Sequence, residues 1–297
     1  MKNQCAIVNG RAAAKRSSAW KSIRGELQGL GIDWVITDAK PFSAETKARE
    51  LCLNGIDRIV VVGGDGTLHE VVNGIMSAES SPWVSLVPFG TGSDFARSLR
   101  RQFGLRGLRE QADQPRQVAL DLVQLRTDIG ARYFVNIASC GLTGLVARYV
   151  AQHDRFKERW GSLSYLLAAF IQVRHAKPQR ISVMVDGQQW LDDDLWFFAV
   201  ANGRFFGGAV PIAPQATLDD GKIHVVAVRA GSKFGLAAKS WRYRAGWHLT
   251  MKDVSHVSGT VIDVQGAGGW SIESDGEIND GTFTSAQIEA GRLNWWV

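Results

Sequence analysis

Val60-Val61-Val62 runs directly into Gly63-Gly64-Asp65-Gly66-Thr67, and Leu68 to Met76 then reads as a helix. Glycines at a strand-to-helix turn let the backbone take positive φ and bring its N–H groups close to an anion. The helix start adds partial positive charge at the same point, so phosphate binding is the chemistry this turn suits. It is not a Walker A loop, since no Lys-Ser/Thr pair follows, nor the dinucleotide fingerprint GxGxxG. A plain tight turn with Asp65 or Thr67 as helix cap explains the same residues. His69-Glu70-Val71-Val72-Asn73 approaches the zinc motif HExxH. Asn73 stands where the second histidine belongs, which argues against zinc.

A second loop follows the next apolar run: Val87-Pro88-Phe89-Gly90-Thr91-Gly92-Ser93-Asp94-Phe95-Ala96-Arg97. Pro88 ends a strand, Gly90 and Gly92 make a tight loop, and Ser93 or Asp94 can cap the next helix. In a parallel sheet, loops at the carboxyl ends of neighbouring strands share one edge, where ligands bind. Two glycine-rich loops there strengthen the phosphate reading over the plain turn.

The elements that must hold these loops come in two styles. Up to about Leu125, strand-like runs (Ala6 to Val8, Trp34 to Thr37, Arg58 to Val62, Val84 to Val87, Val118 to Leu122) alternate with helical ones. The helical stretches are Ala13 to Leu30, Ala44 to Asn54, Leu68 to Met76 and Phe95 to Arg101. Alternation of this kind predicts a parallel sheet covered by helices, an α/β domain over residues 1–124. Beyond it, Arg180 to Val185, Leu195 to Ala201, Ile223 to Val228, Thr260 to Val264 and Phe283 to Glu289 read as strands. They are punctuated by Asp186-Gly187, Asn202-Gly203, Asp220-Gly221, Asp275-Gly276 and Asp280-Gly281, pairs suited to tight turns. Residues 125–297 therefore read as a β-rich sandwich with helical insertions at Lys157 to His175 and Lys233 to Trp247. The C-terminal tail is expected to pack back on the first domain.

Composition is that of a folded globular protein: 297 residues, 45% hydrophobic and 21% charged. Cys5, Cys52 and Cys140 lie far apart with no CxxC spacing, which gives neither a disulfide framework nor a zinc knuckle. No apolar run reaches the ~20 residues a spanning helix needs. The opening apolar stretch, Cys5 to Val8, is too short for a signal peptide. A cytoplasmic protein, peripheral at the inner membrane surface, is the expectation. The net charge of +5 suits an anionic partner without choosing one.

Taken together, the loops resemble the diacylglycerol kinase catalytic-domain family, which includes bacterial lipid kinases and the sphingosine and ceramide kinases. The resemblance rests on Gly63 to Thr67 with Glu70-Val71 and Asn73-Gly74, and on Pro88 to Arg97. In the β-rich half it rests on Asn202 to Gly208, Pro214 to Lys222 and Asp275-Gly276-Glu277, all in order. Two departures stand out: Asn9-Gly10 where the family has Asn-Pro, and Ser93 where it has Asn.

The resemblance implies an NAD kinase/diacylglycerol kinase-like fold and phosphoryl transfer from ATP to a lipid hydroxyl, with Mg2+. It implies nucleotide contacts at Asn9, Gly63, Gly64, Asp65, Gly66, Thr67, Glu70, Gly90, Thr91 and Asp94. It further implies a water-linked magnesium network on Asp65, Asp94 and Asp121. A structural magnesium is implied on Asp220 with the carbonyls of Thr217 and Lys222. Asp275 is the implied general base, with Glu277 beside it. Read without the family, Asp121 is a strand-end residue, and Asp220 and Asp275 are ordinary turn residues.

Trp241-Arg242-Tyr243-Arg244 and Trp247 combine aromatics with cations, as interfacial segments do, and Leu163 to Val173 could line an acyl slot. Both fit equally as helices packing on the sandwich. The expected partners are a lipid substrate and an anionic membrane, with an exposed sandwich edge offering a route to a homodimer. Nothing resembles a nucleic-acid-binding signature. Two rival readings are an NAD kinase-like enzyme of a soluble substrate and a non-catalytic lipid or nucleotide sensor.

Overall fold

The computed structural model describes residues 3–297 apart from 39, 90–92, 105 and 115, and it leaves aside the side chains of residues 154, 157, 158, 162 and 237. The chain forms two compact units: Met1–Leu120 with Gly291–Val297, and Asp121–Ala290.

The first unit is an α/β domain. Its elements are β1 (Gln4–Val8), α1 (Gly10–Lys15), α2 (Ser17–Gly29), β2 (Asp33–Ile36), α3 (Ser43–Leu53), β3 (Arg58–Gly63), α4 (Asp65–Ser77), β4 (Trp83–Pro88), α5 (Asp94–Phe103) and α6 (Leu108–Asp113). The strands pair in parallel in the order β2-β1-β3-β4, with Val8 opposite Val62 and Val62 opposite Val87. Every residue of β3 is buried, which is why its sequence is an unbroken apolar run after Arg58. Ala6, Val8, Val60 and Val62 pack with Ala13, Leu27 and Leu108 from α1, α2 and α6. Strand alternation turns the equally buried Ile7, Ile59 and Val61 to the other face. There α4 lies on α3 so closely that a Cβ on Gly74 would stand 2.2 Å from the Glu45 carbonyl oxygen.

The end of the chain completes this unit. Trp295 pairs in register with Val84 of β4, is fully buried, and meets Phe95 edge-on at 5.1 Å. The buried Arg58 guanidinium lies 3.8 Å over the Trp296 ring and donates to Gln111 at 3.0 Å. Burial pushes its pKa down to about 10.

The second unit is antiparallel. It contains β5 (Gln117–Thr127, entering from the first unit), β6 (Gly130–Phe134), β7 (Ile137–Gly141), α7 (Leu142–Gln152), α8 (Asp154–Trp160), α9 (Ser164–Gln172), β8 (Gln179–Val185) and β9 (Gln188–Ala201). It continues with β10 (Ile223–Arg229), α10 (Lys233–Ala238), α11 (Ser240–Ala245), β11 (Val254–Gly259), β12 (Val261–Gln265), β13 (Ile272–Ser274), β14 (Glu277–Asn279) and the first part of β15 (Phe283–Trp296). One path runs β14-β13-β7-β9-β8-β12-β15, and β10 joins β9 to β11. Along β9, Phe198 and Val200 face a core with Phe134, Ile181, Val225 and Phe283. The alternate residues Phe197, Ala199 and Ala201 face Val146, Ala168, Tyr243 and Met251 of a helical layer. The unit is thus a sandwich with helices on one outer face.

Several expectations change. The predicted helix Ala13 to Leu30 is two helices, because the chain leaves helical geometry at Arg16, φ −120° and ψ 50°. Asn202-Gly203 is not a hairpin turn: Asn202 is fully buried and donates to the carbonyls of Asp121 and Val135. Two of the five dipeptides, Asp186-Gly187 and Asp275-Gly276, have both residues at positive φ, as type I′ hairpins require.

Candidate active site

The glycine turn is built differently from its sequence expectation. Gly63 is the last residue of β3, Gly64 is extended at φ −111° and ψ −166°, and Gly66 is already helical, so positive φ is not what the glycines supply. Close approach is: a Cβ on Gly63 would stand 2.6 Å from both Cβ and Oγ1 of Thr67. Helix α4 begins at Gly64, which has no side chain to cap it, and a helix start of this kind suits an anion.

Asn9 ties this turn to β1. Its Oδ1 accepts the Ala12 amide and caps α1, while its Nδ2 donates to Thr67 Oγ1 at 2.9 Å. Gly10 fits beside the Thr37 carbonyl oxygen, where any Cβ would come within 2.2 Å. A residue without a side chain is needed there, which gives the Asn9-Gly10 departure a local reason.

Asp65 ties the turn to the next loop. Its Oδ2 accepts the Asp94 amide at 2.8 Å and its Oδ1 accepts the Ser93 hydroxyl at 2.9 Å. Ser93 in turn caps α5 by accepting the Ala96 amide. The Asp94 carboxylate pairs with Arg97 at 2.8 Å. Glu70 faces away from this group: its two oxygens accept the amides of Phe42 and Ala44, at the start of α3. Its visible work is capping a helix whose own N-cap, Phe42, sits at φ 60° and supplies no side-chain acceptor. Gly90 and Thr91 lie outside the described residues.

In the second unit, Asp121 is a buried mid-strand residue of β5. Its amide donates to the Leu218 carbonyl, and its Oδ2 accepts the Gly221 amide, both at 2.7 Å. Asp220, one residue earlier in that turn, accepts the Lys222 amide on Oδ1 and lies 3.0 Å from His224 Nε2 through Oδ2. Burial pushes the Asp220 carboxyl up, but His224, the Lys222 amide and the Thr217 hydroxyl outweigh it and hold it below the ordinary range. Asp220 and the Thr217 and Lys222 carbonyls are the oxygen donors magnesium takes, with His224 as a rival for the same carboxylate.

Asp275 is buried at the β13–β14 turn, and its carboxylate accepts three backbone amides. Asn136 and Ile137 donate to Oδ1 at 2.9 and 3.2 Å, and Val135 donates to Oδ2 at 3.0 Å. These contacts fix the plane of a buried carboxylate. Glu277 is exposed at the start of β14. Sequence reading passed over Glu273, which is buried on β13, hydrogen-bonded to the Ser139 hydroxyl, and accepts the Gly276 amide at 3.0 Å. Its signal was its place: a carboxylate two residues before Asp275, on the strand that leads into the same turn. Among the described residues, no three His, Cys, Asp or Glu side chains gather as a direct metal cluster.

A parallel-sheet unit carrying a cross-braced glycine turn, followed by an antiparallel sandwich with buried carboxylates, defines a two-domain kinase fold of the NAD kinase/diacylglycerol kinase type. Residues 3–130 match the diacylglycerol kinase catalytic domain, and residues 136–296 match the YegS C-terminal NAD kinase beta sandwich-like domain. The chain belongs to the family of the YegS C-terminal NAD kinase beta sandwich-like domain and carries a match to the diacylglycerol kinase catalytic domain ahead of it. It is 28% identical over 225 residues to a "Probable lipid kinase YegS-like" of Yersinia enterocolitica, covering 74% of this chain and 72% of that one. It is 27% identical over 235 residues to a diacylglycerol kinase of Bacillus subtilis, covering 77% and 74%. A crystal structure of a diacylglycerol kinase from Bacillus anthracis shares the fold, with a TM-score of 0.73 at 20% identity over 99% of this chain and 96% of that one.

Proposed function

We propose that this chain transfers the terminal phosphoryl group of ATP to a hydroxyl of diacylglycerol or a related lipid, giving a phosphatidic acid-type product. The observation that carries the reading is the Asp65 brace. It holds the uncapped start of α4 beside the loop that opens α5, in a chain whose two halves match the two kinase domains in order.

Phosphoryl transfer is mostly positioning and charge neutralisation. In this reading the Gly63 to Thr67 turn, with Asn9, Gly90, Thr91 and Asp94, receives the nucleotide. Glu70 acts on it only by holding α3 against α4. Asp65, Asp94 and Asp121 would hold Mg2+ through water, since carboxylate and water oxygens are its preferred ligands. When bound, the ion neutralises charge on the phosphates. Asp275 accepts the proton of the lipid hydroxyl, its plane set by three amides, and Glu277 and Glu273 flank it. Thr217, Asp220 and Lys222 would hold a structural Mg2+ if the ion displaces His224. Chelator-sensitive melting of the parent, absent in Asp220→Ala, tests that site.

The test of the whole reading is purified protein with labelled ATP and Mg2+ against dispersed diacylglycerol, phosphatidylglycerol, monoacylglycerol, sphingosine and NAD. Label entering a lipid supports it. Label entering only NAD, or no turnover with intact nucleotide binding, removes it in favour of a soluble-substrate kinase or a sensor.

A further inference from the structure

Among the described residues, seven large apolar side chains in the second unit stand between 43% and 84% exposed: Ile129 at the β5–β6 turn, and six others, Trp160, Leu163, Phe170, Phe234, Trp241 and Trp247. These six lie on α8 to α11, on the turn joining α8 to α9, or, for Trp247, just after α11. These helices form one layer. Phe156, Tyr165, Ala169 and Val173 from the α8–α9 segment pack on the same core as Leu236, Tyr243 and Leu249 from the α10–α11 segment. Lys233 ties the two segments directly, donating to the Arg174 carbonyl at 2.7 Å. Trp241 and Trp247 meet edge to face at 5.8 Å, with the Arg242 guanidinium 5.4 Å from the Trp241 ring. Single exposed apolar residues need no explanation, but six on one thin layer do.

Charge says what meets them. Residues 154–178 and 232–253 together hold ten Lys and Arg but three Asp and Glu, one of them Asp253 paired with Lys239, a net of +7 where the whole chain is +5. Everything outside these two segments is therefore net negative. The basic character of this protein is a property of the aromatic layer. A second copy of the chain would bring the same positive layer against it, and like charges there repel. An anionic bilayer complements both features, since Trp and Phe enter the headgroup boundary while Lys and Arg stay at the phosphates.

We infer that α8 to α11 form one composite docking face for an anionic membrane, with both helical segments engaging the bilayer together. The inference deepens the lipid-kinase reading by naming the surface through which the enzyme reaches a lipid acceptor, but vesicle binding needs no turnover and is measured without ATP.

The experiment is sedimentation of the full chain with phosphatidylglycerol/phosphatidylcholine vesicles and with phosphatidylcholine alone. The parent should bind the anionic vesicles, and 0.5 M salt should release it as the Debye length shrinks to a few ångströms, on the order of 4 Å. Phe170→Ser in one segment, and Trp241→Ser with Trp247→Ser in the other, should each weaken binding about tenfold or more. Arg242→Glu with Arg244→Glu should do the same, since each reversal sets a negative charge against the anionic headgroups. Ile129→Ser removes an equally exposed apolar residue from the β5–β6 turn and should change nothing. Equal binding by parent and all variants, or no binding by a folded parent, overturns the inference. So does a parent dimer in light scattering that dissociates in the Trp241→Ser/Trp247→Ser variant, which would give the face to a second copy. Loss in only one segment's variants would overturn the composite face. Melting temperatures within a degree or two of the parent's separate lost docking from lost folding.

Discussion

The carboxylate of Asp65, at the first turn of α4, accepts the backbone amide of Asp94, at the first turn of α5, at 2.8 Å. One side chain thereby fixes the starts of two helices that follow neighbouring strands. Asp65→Asn keeps one acceptor oxygen but turns an NH2 toward a donor, so a charge-assisted bond is lost. The expected cost is about 1–3 kcal/mol of stability. Phosphotransfer should fall further than Ser93→Ala lowers it, because Ser93→Ala removes one donor and a helix cap and leaves the Asp94 amide in place. Melting curves and lipid phosphorylation of the two variants check this; equal effects on both would reduce Asp65 to a local cap.

Gly64 and Gly74 separate ligand approach from packing. Gly64 is extended, a conformation other residues adopt, so Gly64→Val should leave the melting temperature close to the parent's and weaken ATP binding in calorimetry. Gly74→Ala should do the reverse. Its Cβ would meet the Glu45 carbonyl oxygen at 2.2 Å and Ala48 Cβ at 2.8 Å, an overpacking worth about 1–3 kcal/mol or more. Unchanged ATP affinity in a folded Gly64→Val protein would detach the nucleotide from this turn.

His248 gives the fold a pH dependence whose sign can be worked out. Burial lowers its pKa, opposed by its hydrogen bond to the Ile212 carbonyl at 2.8 Å, while His256 adds to the lowering. The unfolded chain therefore takes up a proton near the ordinary histidine pKa of about 6.5 while the folded chain does not. Stability is undiminished above that pH and declines as pH falls from it toward the folded pKa. His248→Gln, which can still donate to Ile212, should flatten the slope of melting temperature between roughly pH 7 and 5. An unaltered slope would place the titration elsewhere.

What could be read in the sequence follows from where each signal is stored. The β3–α4 turn and the Ser93 cap are local, a buried apolar run against Gly, Asp and Ser, and both are legible. Strand β7 is not, because Ile137 to Gly141 is buried on both faces and short, so no alternation marks it. The work of Glu70 was equally hidden: its partners Phe42 and Ala44 are nearly thirty residues away, and a left-handed phenylalanine at a helix start has no sequence signature. Trp295 reads as a late apolar residue in a tail expected to pack back on the first domain, and its partner there, Val84, has no mark in the sequence.

Asp275 offers the sharpest test of the chemical step, because the fold contains its structural double. Asp186 also opens a type I′ turn at positive φ, and its carboxylate also takes three donors, all on Oδ1: the Thr260 amide, the Thr260 hydroxyl and the Val261 amide. The difference is burial, since Asp186 is solvated and Asp275 is not. Replacing either by Asn turns an oxygen into an NH2 group and disturbs the donors it held, so both variants should lose stability, Asp275→Asn the more. Only Asp275→Asn should lose phosphotransfer, by roughly 10²-fold, the usual scale for removing a general base. ATP affinity should be retained in both, as Asn9, Asp65 and Thr67 are untouched. Asp280→Asn, at a turn with no such donor set assigned to it, serves as a second control. Comparable loss of turnover in Asp186→Asn would make the Asp275 effect structural. Full activity in a folded Asp275→Asn protein would move the base to Glu277, the exposed carboxylate on the adjoining strand, with Glu273 next in line.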